Sequence, residues 1–271
     1  MPYISAMPVA RLTSRSLVRI GGPDWRSFLQ GLLSNDVETL ASGAVRFAAL
    51  LTPQGKLLYD LFVVGQPDGA LLDVAGERRD ALIQRLTMYR LRAKVEIAAD
   101  DGAVFASWEQ SMPGAALDPR LPVLGWRLYG GEVAATATET DYQAFRLAQG
   151  VPDPAVDAIP DKTFPIEANF DLLNGIDFAK GCFVGQETTS RMKRRGVIKN
   201  RMLSITFDGP APAFGAEVLT EGLLRAGEVL SGGEGRAMAL VRLDRIDGPL
   251  SVEGRLVRIE RPDWLPRADI A

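Results

Sequence analysis

Cysteine occurs once in the 271 residues, at Cys182, within the string Lys180-Gly181-Cys182-Phe183-Val184-Gly185-Gln186-Glu187 and directly ahead of a basic segment. A thiol acts as nucleophile or metal ligand only as thiolate, and a neighbouring lysine together with a helix N-terminus brings a cysteine from about 8.5 into roughly the 3.5–7.5 pKa range. Lys180 is such a lysine, and Gly185-Gln186-Glu187-Thr188 reads as a helix start. Gly181 and Gly185 let the chain turn tightly and approach a partner closely. The competing reading of Cys182 is a small buried hydrophobe.

Histidine is absent from the chain. Without imidazole there is no Ser-His-Asp or Cys-His relay and no His-ligated zinc or iron, and one cysteine completes neither a structural zinc site nor an internal disulfide. Proton transfer falls to carboxylates, lysine, tyrosine, the thiol or water, and any metal would need ligands from oxygen groups or from a second protein; no metal-ligating residue is assigned.

The elements that must position this chemistry follow from periodicity. Leu17 to Ile20 reads as a strand; after Gly21-Gly22-Pro23, the residues Trp25, Phe28, Leu29, Leu32 and Leu33 recur at helical spacing and form one apolar face ending near Asn35. Val45 to Leu51 and Lys56 to Val64 are strands joined by the turn Thr52-Pro53-Gln54-Gly55, with a third strand at Ala70 to Val74. A helix over Glu77 to Arg90 turns Leu82, Leu86 and Tyr89 to one side, and strands follow at Val95 to Ala98 and Val104 to Trp108. Loops are expected at Met112 to Pro122 and Gly150 to Pro154, on either side of a helix from Thr140 to Gln149. From Lys199 the texture changes to short strands at Met202 to Phe207, Arg225 to Leu230, Met238 to Leu243 and Leu256 to Ile259, a pattern that suggests a separate small barrel. Gly232-Gly233-Glu234-Gly235 lacks the lysine, hydroxyl residue and following helix of a phosphate loop.

With 46% hydrophobic and 24% charged residues the chain reads as an ordinary globular protein of one to three units. No apolar run approaches the roughly 20 residues of a membrane span. Met1-Pro2-Tyr3-Ile4-Ser5 lacks the pattern of a secretory signal, so a cytoplasmic location is expected. The net charge of −3 argues against a general nucleic-acid coat. Even so, Arg191, Lys193, Arg194, Arg195, Lys199 and Arg201 place six cations in eleven residues with no acid among them. That run is either a solvated face or a dock for an anion: the carboxylate tail of a ligand, nucleic-acid phosphates or an acidic protein face. No aromatic residue interleaves with it, so base stacking is unsupported and direct tRNA contact through Arg191 to Arg201 is disfavoured.

Pro165-Ile166-Glu167-Ala168-Asn169, Gly175-Ile176 and the lysine-glycine-cysteine-aromatic-x-glycine-glutamine-glutamate string together resemble the signature of YgfZ-type folate-binding proteins. These are relatives of the glycine-cleavage T-protein, an aminomethyltransferase, and of a mitochondrial iron-sulfur maturation factor. The order of Gly55 to Asp60, Arg146 to Pro152 and the terminal strands fits as well, so the resemblance spans nearly the whole chain. It implies an α+β fold: a cloverleaf of two intertwined α/β subdomains that form the folate-binding region, plus a small C-terminal β-barrel. The folate-binding region is then residues 1–196, with one subdomain at about 1–46 plus 140–196 and the other at about 47–139, and the barrel is residues 197–271.

The same resemblance implies tetrahydrofolate or a derivative as ligand. A carboxylate accepts the adjacent N–H donors of a pterin edge as a fork, and Glu167 matches the glutamate of the T-protein motif; a capping or surface glutamate is the alternative. Tyr142 falls where relatives set an aromatic ring against the ligand, with plain core packing equally open. Lys180, Gln186, Glu187 and Arg191 are carried over as folate-side contacts, and Cys182 as the essential reactive or ligating group. T-proteins carry two consecutive aspartates where this chain has Tyr59-Asp60. Asp60 is thus either a ligand contact or a buried strand acid satisfied by backbone amides. The implied function is a folate-binding accessory protein of iron-sulfur cluster assembly or repair, serving iron-sulfur enzymes that include tRNA-modifying ones. The alternative is a folate-dependent aminomethyl transferase.

Overall fold

The computed structural model describes residues 7–196 and 198–266, in two compact units. The first comprises the chain up to Leu51, Leu58–Gln143 and Leu173–Val184. Its elements are β1 (Val9–Arg11), β2 (Arg15–Gly21), α1 (Trp25–Leu32), β3 (Val45–Leu51), β4 (Leu57–Gln66), β5 (Gly69–Ala75), α2 (Arg79–Arg90), β6 (Glu96–Asp100), β7 (Val104–Ser107), β8 (Ala116–Leu117), β9 (Trp126–Tyr129) and the start of α3 (Glu139–Ala148). One sheet runs β3-β4-β5-β2-β6 and the other β1-β7-β9-β8.

Alternation divides the five-stranded sheet into two chemically different faces. Val18, Ile20, Leu61, Val63, Ala70 and Leu72 point to one side, where Trp25, Leu29 and Leu32 of α1 and Leu82 and Leu86 of α2 join them in a single apolar core. On the other side Leu17, Asp73 and Phe62 stand opposite one another in register, with Arg15 and Asp60 two residues away. The expected apolar stripes of both helices are therefore the core.

The second unit comprises Thr52–Leu57, Ala144–Leu172 and the chain from Gly185 onward. It holds the end of α3, then α4 (Pro154–Asp157), α5 (Gln186–Arg195), β10 (Asn200–Thr206), β11 (Glu217–Thr220), β12 (Arg225–Gly233), β13 (Arg236–Arg242), β14 (Leu250–Val252) and β15 (Arg255–Glu260). The six strands close into a barrel, β10-β13-β12-β11-β14-β15, around Leu203, Ile205, Val218, Ala239, Val241 and Val252. Val197, where the barrel is taken to begin on sequence, lies outside the described residues.

Two expectations need correction. The segment Met112 to Pro122 is not wholly loop, because Ala116 and Leu117 pair with Arg127 and Trp126. The Gly150 to Pro154 segment ends in a helix start: the Asp153 carboxylate accepts from Ala155 N–H at 3.2 Å, and Pro154 occupies the first turn, where its missing N–H is not needed.

Candidate functional site

The segment bearing Cys182 is stitched to the C-terminal end of α1. Ser34 Oγ donates to Gly175 O at 2.6 Å, and Asn35 Nδ2 donates to Phe47 O and Asn174 O at 2.7 and 2.6 Å. Asp177 N–H reaches Ser34 O at 3.0 Å, while its carboxylate accepts from the backbone of Ala179 at 2.8 Å and Lys180 at 3.2 Å. Val184 N–H closes the segment on Gly31 O at 3.2 Å.

Lys180 is central to this anchoring. Its ammonium donates to the carbonyls of Gln30, Leu33 and Asn35 at 2.9, 2.7 and 2.7 Å. Carbonyls at a helix end lack intrahelical partners, and a cation there also meets the negative end of the helix dipole. Phe183 is buried, whereas Gly181 and Cys182 are exposed. A lone cysteine on the surface, flanked by an anchored lysine and a buried phenylalanine, is not the small core hydrophobe that one reading of the sequence allowed.

Burial brings the Lys180 ammonium down to about 8, against the opposing pull of Asp36, Asp177 and Glu38. The unfolded lysine titrates near 10.4. Between those two values the unfolded chain binds more protons, so this residue's contribution to stability rises as pH climbs from about 8 to about 10.4. Carbon-13 labelling of the lysine Cε positions is expected to show one resonance titrating near 8. A midpoint near 10 for Lys180 would show that its partial burial does not outweigh the acids and carbonyls around it.

The rest of the motif string opens α5. Gly185 adopts φ 81° and ψ 4°, a left-handed conformation suited to glycine, and the helix begins at Gln186. Gln186 is half-buried, and Glu187 and Arg191 are exposed. The turn between β3 and β4 comes close here: a Cβ on Gly55, itself at φ 79°, would lie 2.9 Å from Thr188 Cβ and 3.0 Å from Gly185 O. Glycine at 55 thus lets this turn touch the start of α5.

Glu167 is engaged at both oxygens. Oε2 accepts from Phe164 N–H at 2.9 Å and Oε1 from Asn200 Nδ2 at 3.1 Å. These are structural bonds within a turn and to β10 rather than a helix cap, and each oxygen keeps a second lone pair. Burial lowers the Lys56 ammonium's pKa against the opposing charges of Glu167 and Asp161, and Lys56 Nζ sits 3.2 Å from the centroid of the Phe164 ring. The basic run is not uniformly a solvated face. Arg201 is fully buried, forking onto Asp171 at 3.0 and 3.1 Å, and Lys193 reaches the same carboxylate at 3.1 Å. Arg191, Arg194, Arg195 and Lys199 remain exposed.

Tyr142 and Asp60 belong to a buried ionic lattice in the first unit. Arg15 donates to Asp60 Oδ2 at 2.9 Å and to Asp73 Oδ1 at 2.6 Å. Arg127 takes the other Asp73 oxygen at 2.6 Å and donates to Tyr129 Oη at 2.8 Å. Arg120 forks onto Asp118 at 3.0 and 2.8 Å and donates to Tyr142 Oη at 3.0 Å. The three guanidinium carbons surround the Phe62 ring, 3.9 to 5.6 Å from its centroid. Burial alone would push the Asp118 carboxyl up, but Arg120 beside it holds it below the usual range. Asp60 is therefore satisfied by a guanidinium rather than by backbone amides. Tyr142, 3% exposed and tilted against Trp108, packs in the core with its phenol tied to Arg120. Arg15, Asp73, Asp118, Arg120 and Arg127 escape a reading of the sequence. The available signal is a charge inside an apolar strand, as in Leu71-Leu72-Asp73-Val74 and Trp126-Arg127-Leu128-Tyr129.

Taken as a fold, this is that of the glycine-cleavage T-protein. The crystal structure of the aminomethyltransferase T from Bartonella henselae superposes with a TM-score of 0.77 at 17% identity, covering 95% of this chain and 86% of that one. Residues 199–267 match the CAF17 C-terminal beta-barrel domain family. The chain is 32% identical over 305 residues to the mitochondrial iron-sulfur cluster assembly factor IBA57 of Mus musculus, covering 95% of this chain and 85% of the relative. The Homo sapiens factor is likewise 32% identical, over 301 residues that cover 94% and 85%. The chain belongs to the IBA57 family of iron-sulfur cluster assembly factors. The cytoplasmic location expected from the sequence is overturned by these relatives, which are mitochondrial proteins. Among the described residues no helix is long and apolar enough to cross a membrane.

Proposed function

We propose that this protein acts in iron-sulfur cluster assembly by presenting Cys182 to a cluster-bearing or client protein. One observation carries the reading: the sole thiol is exposed on a segment whose neighbours are bonded to the end of α1. Among the described residues no group of three or more acid or thiol side chains could hold a metal ion. A cluster that touches Cys182 then needs ligands from the partner as well. Anaerobic mixing with a cluster-loaded carrier, followed by visible absorption, tests this; the parent protein should perturb the cluster spectrum and Cys182→Ser should not. Enzymes that modify tRNA are among the proposed clients, reached through the cluster rather than by direct contact with RNA.

Reduced folate is the proposed ligand, supported by the T-protein fold and by the unused lone pairs of Glu167. Tyr142 and Asp60, each 3% exposed and tied to Arg120 and Arg15, support this reading less than the half-buried Glu167 does. The same engagement of Asp60 counts against aminomethyl transfer, since Tyr59 already replaces the neighbouring carboxylate of the T-proteins. Calorimetry with tetrahydrofolate is expected to give saturable heat that weakens about tenfold or more in Glu167→Ala, the loss of a charged hydrogen-bond fork. No saturable heat at millimolar ligand removes folate from the reading, and unchanged affinity in Glu167→Ala removes this carboxylate.

A further inference from the structure

The turn after α2 is closed by Ala93 N–H donating to Arg90 O at 2.8 Å, and its first central residue, Leu91, holds φ 44° and ψ −105°. Those are the angles of the first central position of a type II′ turn, a place that glycine takes because an L side chain is strained there. Leucine in this position is not repaid by packing, for it is 89% exposed. Met88, on the last turn of α2, is 64% exposed, so this short stretch carries two large apolar side chains exposed to water. Residues 85 to 95 contain four cations and no acid, in a chain whose net charge is −3. Three of the four, Arg90, Arg92 and Lys94, are exposed. Two acids border this corner: Asp24 accepts from the Lys94 backbone N–H at 2.7 Å, and the exposed Glu96 follows Val95.

Strain held by an exposed residue without local benefit points to use elsewhere. We propose that Met88 and Leu91 form a docking knob for an acidic protein partner: the apolar pair enters a cleft on that partner, and carboxylates on the cleft rim meet Arg90, Arg92 and Lys94. An apolar centre with a charged, solvated rim is the anatomy of a protein interface. Two side chains are too small an apolar area to anchor the chain to a lipid surface. The proposal does not depend on Cys182 or on folate.

Leu91→Gly separates docking from folding. Glycine relieves the turn, so the variant should melt about 2–4 °C higher than the parent, or at least no lower. Leu223→Gly is the matched control: Leu223 is 75% exposed at φ 57° on a hairpin tip, and the nearby Arg225 is already paired with Glu217 and Glu228. A photo-crosslinking residue at Met88 identifies the neighbour in cells, and that protein, purified, is titrated against the parent and both variants at low and high salt. Expected are at least tenfold weaker binding by Leu91→Gly, unchanged binding by Leu223→Gly, and weaker binding by the parent as salt rises. Equal binding by parent and Leu91→Gly overturns the proposal, as does the absence of any crosslinked protein. Flotation of the parent, but not of Leu91→Gly, with phosphatidylglycerol vesicles would assign the knob to a membrane and overturn it too.

Discussion

Cells whose only copy carries Cys182→Ser are expected to lose the activity of dependent iron-sulfur enzymes, while the purified variant melts within about 1–2 °C of the parent. The thermal half of this expectation follows from exposure. Cys182 lies on the surface, and surface substitutions away from caps and networks change stability by about 0.5 kcal/mol or less. Had the thiol been buried, a serine hydroxyl without a partner would cost roughly 1–3 kcal/mol, and loss of function would follow unfolding. The functional half follows from chemistry. Serine keeps the volume but forms neither a thiolate nor a bond to iron, and no histidine or second cysteine in the chain can substitute. Lys180→Met is the informative companion, because it removes the ammonium that caps α1 and loosens the segment while sparing the sulfur. Thermal melting paired with enzyme activity in cells decides the matter. Full complementation by a stable serine variant would leave this thiol without a role.

How much of this was legible in the sequence differs by element, for physical reasons. β3 has the bounds read from its apolar run, Val45 to Leu51, because every residue but Arg46 is buried and the Pro-Gln-Gly turn ends it. The stripe Trp25, Leu29, Leu32 on α1 is likewise read directly from its 3.6-residue period. Shorter barrel strands escape. β14 is three residues, Leu250-Ser251-Val252, and β11 four, too few to establish an alternation. β9 is hidden for a different reason, since its most buried residue is Arg127, which inverts the apolar pattern that a strand shows.

The site divides in the same way. The Cys182 string is contiguous, so its order carries information without any knowledge of tertiary structure. Lys180 is legible as a lysine beside a thiol, but its bonds run to carbonyls about 150 residues earlier in the chain, and no local spacing encodes them. Glu167 and Tyr142 could each be read as ligand contact or as structure. Their bonds to Phe164, Asn200 and Arg120 reveal the structural half of that choice.

The lattice that no sequence pattern announces sets the other large effect. Asp73→Ala is expected to destabilise the protein by about 3–5 kcal/mol, because it leaves Arg15 and Arg127 buried with one acid fewer between them. The penalty is desolvation of guanidiniums that cannot lose their protons, which is why it exceeds the value of an ordinary hydrogen bond. The exposed pair Arg242 and Asp244 provides the comparison: Arg242→Ala removes a bond of similar length, 2.8 Å, yet should leave stability almost unchanged, since water solvates the carboxylate that remains. Urea denaturation of the two variants gives the contrast directly as a difference in midpoint at equal slope. A double variant, Asp73→Asn with Arg127→Met, should recover part of the loss by removing an unpaired charge, and the cycle isolates the coupling. If Asp73→Ala is no more destabilised than Arg242→Ala, then the lattice is not holding the two sheets of the first unit together.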